Sequence, residues 1–503
     1  MGQPTIDPAI PDAASPAPPA LWLRRIGLIA GILGFVAFEI AGPAGGFLRS
    51  AAVTPPGPDA LPSAAWHAAA VASLMAAWWL TEAISIYWTS LVPLVLYPLL
   101  LVFPGGHGAN LRAAARPYVD EYIFLFLGGM CIAGAMEQWN LHRRIALHIL
   151  RRVGAEGDRI LLGFLVATAF ISLWISNTAT AVMMLPIGMA VIRQLEGARG
   201  VRLAGLGAAI MLAIAYGANI GGIGTKIGTA PNAICCGFVE AKLHRSISFL
   251  DWVAIAFPFV VVFVPFTWCV LRFVARKDLL GVGQGREAVE REIAALGRMK
   301  PKEWTVAAVF LAAALLWIFG QPLARALGLA GKTYEATVAL LAALFLFASG
   351  TFDAVAARRV PWVTLLLLGG GFSMAAGVEA SGLSKAMGQS LSGVAELHGF
   401  LQFLVVSVLT VAVSAVASNV ATINIMLPIL ASVFPGSVPI LAAATMASSC
   451  DFMLPAGTPP NAIVFGSGYL TVPRMARVGF VLDLAAAVLV AVWSWLGVTW
   501  WLD

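Results

Sequence analysis

Apolar runs long enough to cross a bilayer, about 20 residues each, recur along the whole chain, and polar residues mark where most of them end. The pattern predicts spanning helices near 22–42, 66–82, 84–103, 119–139, 251–275, 304–320, 334–350, 361–380 and 476–502, with a basic amphipathic stretch at 140–156. Two kinds of segment do not fit this scheme. Residues 160–192 form one long, largely apolar run with Ser176, Asn177 and Thr178 near its centre, in "WISNTATAVMMLPI". As one helix this run would reach about 50 Å, too long for a ~30 Å hydrocarbon core, and halves of roughly 14–16 residues are too short to cross it. A re-entrant hairpin with its polar tip at mid-depth fits better, provided the tip is buried in protein or lines a cavity. Residues 400–434 repeat the construction, with Ser418 and Asn419 at the tip of "VASNVATINIMLPI".

The second kind is a helix interrupted near its middle. "GGIGTKIGTAPNA" (221–233) places four glycines and a proline inside the apolar stretch 203–240, a composition that breaks a helix. Its counterpart is "LPAGTPPNAI" (454–463), within 438–470. "LFLGG" (125–129) likewise matches "LLLGG" (366–370), and Ser176 and Pro186 map onto Ser418 and Pro428 at one constant offset. These pairs form an internal repeat. Each copy holds an odd number of full spans, so the two are expected to be inverted in the membrane. The charges agree: residues 140–159 carry five arginines, whereas 381–398 carry only Lys385 as a basic residue.

The predicted organisation is a disordered tail (1–21), a first span and loop (22–65), repeat one (66–275), a charged cytoplasmic linker (276–303) and repeat two (304–503). The expected fold is an all-α polytopic membrane protein of about 11 transmembrane helices, with inverted repeats, two re-entrant hairpins and two broken helices. Inverted repeats with broken helices are the architecture of secondary transporters, and the substrate site lies where the breaks meet.

Composition narrows the class further. The chain is 60% hydrophobic and 11% charged, far from the roughly one-quarter charged residues of a soluble domain. The net charge of +6 does not point to nucleic acid, because Lys and Arg cluster in loops: Arg143, Arg144, Arg151 and Arg152; Arg193, Arg199 and Arg202; Arg276 to Lys302; Arg358 and Arg359; Arg474 and Arg477. Threaded in order, these loops share one face, the positive-inside pattern of a multi-pass inner (cytoplasmic) membrane protein with a cytoplasmic N-terminus. Arg24 and Arg25 before an apolar run read as a retained first span rather than a signal peptide. The five cysteines lack metal spacing and read as buried thiols. No Gly-rich segment continues as Gly-Lys-Ser/Thr, so no ATP site is expected.

A lone Ser-Asn-Thr in an apolar helix is ordinarily a helix–helix hydrogen-bonding patch; its duplication on symmetry-related tips points to a site. Unwound backbone and Ser or Asn oxygens suit a hard cation such as Na⁺. Half-helix N-termini suit an anion such as a carboxylate. A site offering both couples a cation to an anionic solute.

The segments "SLWISNTATAVMMLPI", "GTAPNAI", "ASNVATINIMLPI" and "FMLPAGTPPNAIVFGSG", in this order, resemble the divalent anion/sodium symporter family, the carriers of citrate, dicarboxylates and sulfate. The likeness extends over nearly the whole chain from about residue 66. It implies a first cation site at Ser172, Ser176, Asn177 and Gly228, and a second at Ser414, Ala417, Asn419 and Gly457. Substrate carboxylates would contact Ser176, Asn177, Thr178, Thr229, Ser418, Asn419 and Thr458. The resemblance also implies Na⁺ as coupling ion, a di- or tricarboxylate or other divalent anion as substrate, no organic cofactor, no enzymatic activity, and a homodimer in the lipid bilayer. Each protomer would have a scaffold and a mobile transport domain that moves as an elevator.

Three departures stand out. Val420 removes a hydroxyl from the second tip, Ser414 stands where the family has a Thr and keeps the oxygen, and Lys226 stands where the family usually has an apolar residue. As a mid-membrane ionisable group, Lys226 is a candidate for the substrate site: its ammonium replaces a bound cation, strengthens anion binding, or pairs with Asp451. The first option describes a Na⁺-independent anion exchanger on the same fold. A hydrolase with Ser176 as nucleophile and Lys226 as base is a further alternative, although the repeat duplicates the serine without the lysine. A passive channel is the remaining one.

Overall fold

The computed structural model describes residues 21–41, 63–154, 158–279, 285–390 and 392–502. All regular elements among them are helices. The tail expected over 1–21, apart from Leu21, lies outside the described residues, as does the loop 42–62.

At the centre stands the helix Ala204–Ile223, buried at every residue from Leu206 to Ile223. Its Ala- and Gly-rich sequence explains how it can be enclosed, since small residues let backbones approach closely. A Cβ at Gly221 would lie 2.2 Å from the carbonyl oxygen of Ala169, so the neighbouring helix Arg159–Ser172 packs almost backbone to backbone against it.

That neighbour is the first arm of the first hairpin, and Asn177–Arg199 is the second. The second hairpin consists of Gly399–Ser414 and Asn419–Val433. Each chain break has a local cause. Ser176 and Ser418 leave the helical conformation (ψ 144° and 143°), and their hydroxyls accept from Ala179 N at 3.3 Å and Ala421 N at 3.2 Å. A serine in this position starts the next helix by satisfying an otherwise unpaired N–H. The second arm of the first hairpin is longer than the predicted half-helix. It runs for 23 residues through the polar turn Arg193–Arg199 and stops at Gly200, whose φ of 67° ends it.

The first broken helix resumes after Ile223 as Ala230–Leu243; the second comprises Val438–Ser448 and Pro459–Phe465. The packing is crossed. Pro459–Phe465 lies on Asn177–Arg199 and Ala204–Ile223, while Ala230–Leu243 lies on Asn419–Val433. Each broken helix therefore closes on the hairpin of the other half, which gathers the chain breaks into one region.

Among the described residues, 8 helices are long and apolar enough to cross a membrane. The span expected at 84–103 is divided into Ile86–Thr89 and Val92–Leu100, with Pro98 inside the latter. At the periphery, Pro301–Phe319 and Gly331–Ala348 turn Leu311, Leu315, Phe319, Leu341, Leu344 and Phe345 outward, an apolar exterior suited to lipid. The segment expected to be a charged linker contains the helix Gly285–Leu296. It packs on the basic amphipathic helix Leu141–Val153, where Arg143 pairs with Glu292; Arg144 pairs with Glu303 nearby. Four cysteines are buried as expected, but Cys269 is exposed.

Candidate ion and anion site at the paired tips

The first tip brings three oxygens together. Ser172 Oγ lies 2.8 Å from Asn177 Oδ1 and 2.7 Å from the Ala218 carbonyl oxygen, joining both arms of the hairpin to the broken helix. One hydroxyl proton serves only one of these two acceptors at a time. Gly228 closes the other side: a Cβ there would come within 2.5 Å of the Gly222 carbonyl oxygen and 3.0 Å of that of Ser172. A Cβ on Gly222 would stand 2.3 Å from Asn177 Oδ1. Ser172, Asn177 and Gly228 thus share one locus, with the exposed Ser176 at its rim.

The second tip repeats the geometry. Ser414 Oγ lies 3.1 Å from Asn419 Oδ1 and 2.6 Å from the Ser448 carbonyl oxygen. Ala417 is buried in the break between the arms. Gly457 differs from Gly228 in its surroundings, since the Asp451 carboxylate lies over it.

The two halves meet through Asn219 and Tyr216, to which the sequence pattern gives no role. Asn219 Nδ2 donates to Thr458 Oγ1 at 3.0 Å, and Tyr216 Oη donates to the Phe452 carbonyl at 3.0 Å. Thr458 Oγ1 also accepts from Asn461 N, which leaves its own O–H free to donate. Thr229 holds the corresponding position in the first half, extended and half-buried, immediately before Ala230–Leu243. Thr178 and Val420 occupy the first turns of the second arms, both half-buried.

The asparagines of the two Pro-Asn steps hold the unwound backbone in place. Asn232 Nδ2 lies 2.9, 3.1 and 2.6 Å from the carbonyl oxygens of Gly222, Ile223 and Thr225. Asn461 Nδ2 reaches those of Asp451 and Leu454 at 3.2 and 3.0 Å. Repetition of the step in "GTAPNAI" and "GTPPNAI" was the available sign of this role.

Lys226 does not pair with Asp451. Its Nζ is 2.7 Å from Glu335 Oε2, with both side chains 1% exposed, and sits 5.0 Å from the centre of the Tyr122 ring. Glu335 Oε1 accepts from Phe249 N. The ammonium expected in the substrate shell is instead held against the helix Gly331–Ala348. The Ser176–Lys226 couple of the hydrolase alternative is not formed either, because Ser176 caps its helix and Lys226 faces Glu335.

The arrangement therefore offers neutral hydroxyl, amide and carbonyl oxygens beside each tip. The helices Asn177–Arg199, Ala230–Leu243 and Asn419–Val433 begin at Ser176, Thr229 and Ser418, and a helix N-terminus carries N–H groups without an intrahelical partner. Oxygens of this kind suit a hard monovalent cation, and the N–H groups and threonine hydroxyls suit an anion. Among the described residues no group of three or more His, Cys, Asp or Glu side chains comes together as a metal site.

Residues 50–502 match the family model described as the sodium:sulfate symporter transmembrane region. The sodium-dependent dicarboxylate transporter SdcS of Staphylococcus aureus is 39% identical over 452 residues, 86% of each chain. The solved structure of Neisseria gonorrhoeae MtrF, said to illuminate a class of antimetabolite efflux pumps, aligns with a TM-score of 0.56. It covers 94% of this chain and 97% of its own at 13% identity, a likeness of fold alone.

Proposed function

We propose that this chain, which belongs to the sodium:sulfate symporter family, is a secondary transporter that couples Na⁺ to the uptake of a dicarboxylate or related divalent anion. The observation that carries this reading is the duplicated serine–asparagine–carbonyl triad: Ser172, Asn177 and Ala218 in one half, Ser414, Asn419 and Ser448 in the other. In each triad a single hydroxyl faces two acceptors, and a small cation satisfies several such oxygens at once. The name of the Staphylococcus aureus relative supports both the ion and the anion class.

On this reading the first cation lies among Ser172, Ser176, Asn177 and Gly228, and the second among Ser414, Ala417, Asn419 and Gly457. The anion lies between the tips, within reach of Thr178, Thr229, Ser418 and Thr458. Bound cations offset its charge, and the loaded domain then crosses the inner membrane as an elevator within a homodimer whose N-termini are cytoplasmic. Residues 66–275 and 304–503 are the inverted halves. A Na⁺-independent exchanger is not favoured, because its motive was a free Lys226 ammonium and that ammonium pairs with Glu335.

Uptake of radiolabelled succinate by proteoliposomes tests the reading. An inward Na⁺ gradient drives uptake in the unchanged protein, and Asn177→Ala abolishes it while the variant still purifies as folded protein. Full uptake by Asn177→Ala contradicts the assignment.

A further inference from the structure

The two cation loci differ at one register. Gly222 lies six residues before Gly228, and Asp451 lies six residues before Gly457. In the first half, the absent side chain leaves room for the Asn177 amide. In the second, a carboxylate is inserted at the equivalent place, and a Cβ on Gly457 would come within 2.2 Å of Asp451 Oδ1 and 2.6 Å of Oδ2. Asp451 is 0% exposed. Neither of its carboxylate oxygens has a hydrogen-bond partner, and among the described residues no Lys, Arg or His forms an ion pair with it.

Several polar atoms on the surrounding segments are buried with unused capacity, two of them carbonyl or carboxylate oxygens that only accept. Asn461 donates its amide to the Asp451 and Leu454 carbonyls and leaves its own Oδ1 buried without a partner. Asp483 Oδ1 accepts from Phe452 N at 2.9 Å, and its Oδ2 is buried without a partner. Ser449 Oγ is in the same condition. An ionised carboxylate buried without a counter-charge is strongly unfavourable, and an anion brought here would worsen the imbalance. A small cation with several oxygen ligands relieves it.

We propose that Asp451 is a charged ligand of the second cation site, so that this site, unlike its neutral counterpart at the first tip, binds Na⁺ in the absence of the anion. The proposal rests on the Na⁺-coupled reading above. A fixed negative ligand raises affinity for a hard cation, so the second site fills at lower Na⁺ concentration than the first. It then presents a preloaded positive charge to the incoming carboxylate.

The test is thermal unfolding of the purified full-length protein in detergent, titrated with NaCl against KCl at constant ionic strength and without organic anion. The unchanged protein is stabilised by Na⁺ alone, and Asp451→Asn raises the half-effective Na⁺ concentration by about tenfold. Asp451→Gly, which introduces the residue of the first half, serves the same purpose should the Asn variant not fold. Asn177→Ala, which disables only the first site, retains the low-concentration Na⁺ response. An unchanged half-effective concentration in both Asp451 variants, or loss of the whole response in Asn177→Ala, overturns the proposal while leaving Na⁺ coupling intact. Stabilisation by acid in place of Na⁺, removed by Asp451→Asn, assigns the carboxylate to a proton and also overturns it. Absence of any Na⁺ response in the unchanged protein, with or without succinate, overturns the coupled reading together with the proposal.

Discussion

The two broken helices present the same Gly–Thr step to the tips, but they bury charges of opposite sign just before it. In the first, Lys226 stands two residues ahead of Gly228 and is matched by Glu335 on a separate helix. In the second, the equivalent position is Pro455, and the buried charge is Asp451, without a partner. The hydroxyl–amide–carbonyl geometry of the tips is nearly the same in both halves. Duplication has thus kept the oxygen framework and varied the electrostatics around it. One half has its charge neutralised internally, and the other keeps an unpartnered carboxylate, which the proposal above assigns to a cation. A buried ion pair is weak evidence for stability as such, but removing one member leaves an uncompensated charge.

The largest effect that probes this contrast is therefore on Lys226. Lys226→Met leaves Glu335 unpaired in a site that is 1% exposed, and unfolding of the detergent-purified protein is expected to lose about 3–5 kcal/mol. Combining it with Glu335→Met restores most of that loss. A double variant no more stable than the single one contradicts the pair's role as an isolated internal couple. Asp451→Asn in the other half has no such partner to strand.

A smaller effect comes from moving the first tip toward the crowding of the second. In Gly222→Ala the added methyl meets Asn177 Oδ1, since a Cβ would stand 2.3 Å away. The Na⁺ concentration for half-maximal succinate uptake is expected to rise by about tenfold through displacement of the amide. Unchanged Na⁺ dependence would show that Asn177 binds nothing at that position. The smallest effect concerns the missing hydroxyl. Val420→Thr makes the second tip match the first, and one added hydrogen bond to the anion, worth about 1 kcal/mol, lowers the succinate KM by about fivefold. An unchanged KM places residue 420 outside the anion's reach.

Much of this layout is readable in the chain because polar residues inside an apolar run have few purposes. Ser176, Asn177, Ser418 and Asn419 marked both tips, and the Gly–Thr and Pro–Asn steps marked both helix breaks. What escaped was set by distance in sequence. Glu335 lies 109 positions from Lys226, and nothing local distinguishes it from a helix-end carboxylate, so the sequence offers Lys226 only the site itself or Asp451 as partners. The amides of Asn232 and Asn461 act backward on unwound carbonyls, a role that hydropathy does not express. The division of 84–103 falls after Thr89 and Ser90, just before Pro93, whose missing N–H cannot continue the first helix, although the segment as a whole is apolar enough to read as one span. Asn177–Arg199 is longer than its apolar run because the helix continues after its hydrophobicity ends.

The coupling itself is tested most directly by thermal unfolding of the unchanged protein in a matrix of succinate and Na⁺. A ligand that binds the native state raises its stability, and coupled ligands raise it more together than the sum of each alone. The account predicts that succinate raises the unfolding temperature in Na⁺ buffer and has little effect when K⁺ replaces Na⁺. Equal stabilisation by succinate in both buffers contradicts it.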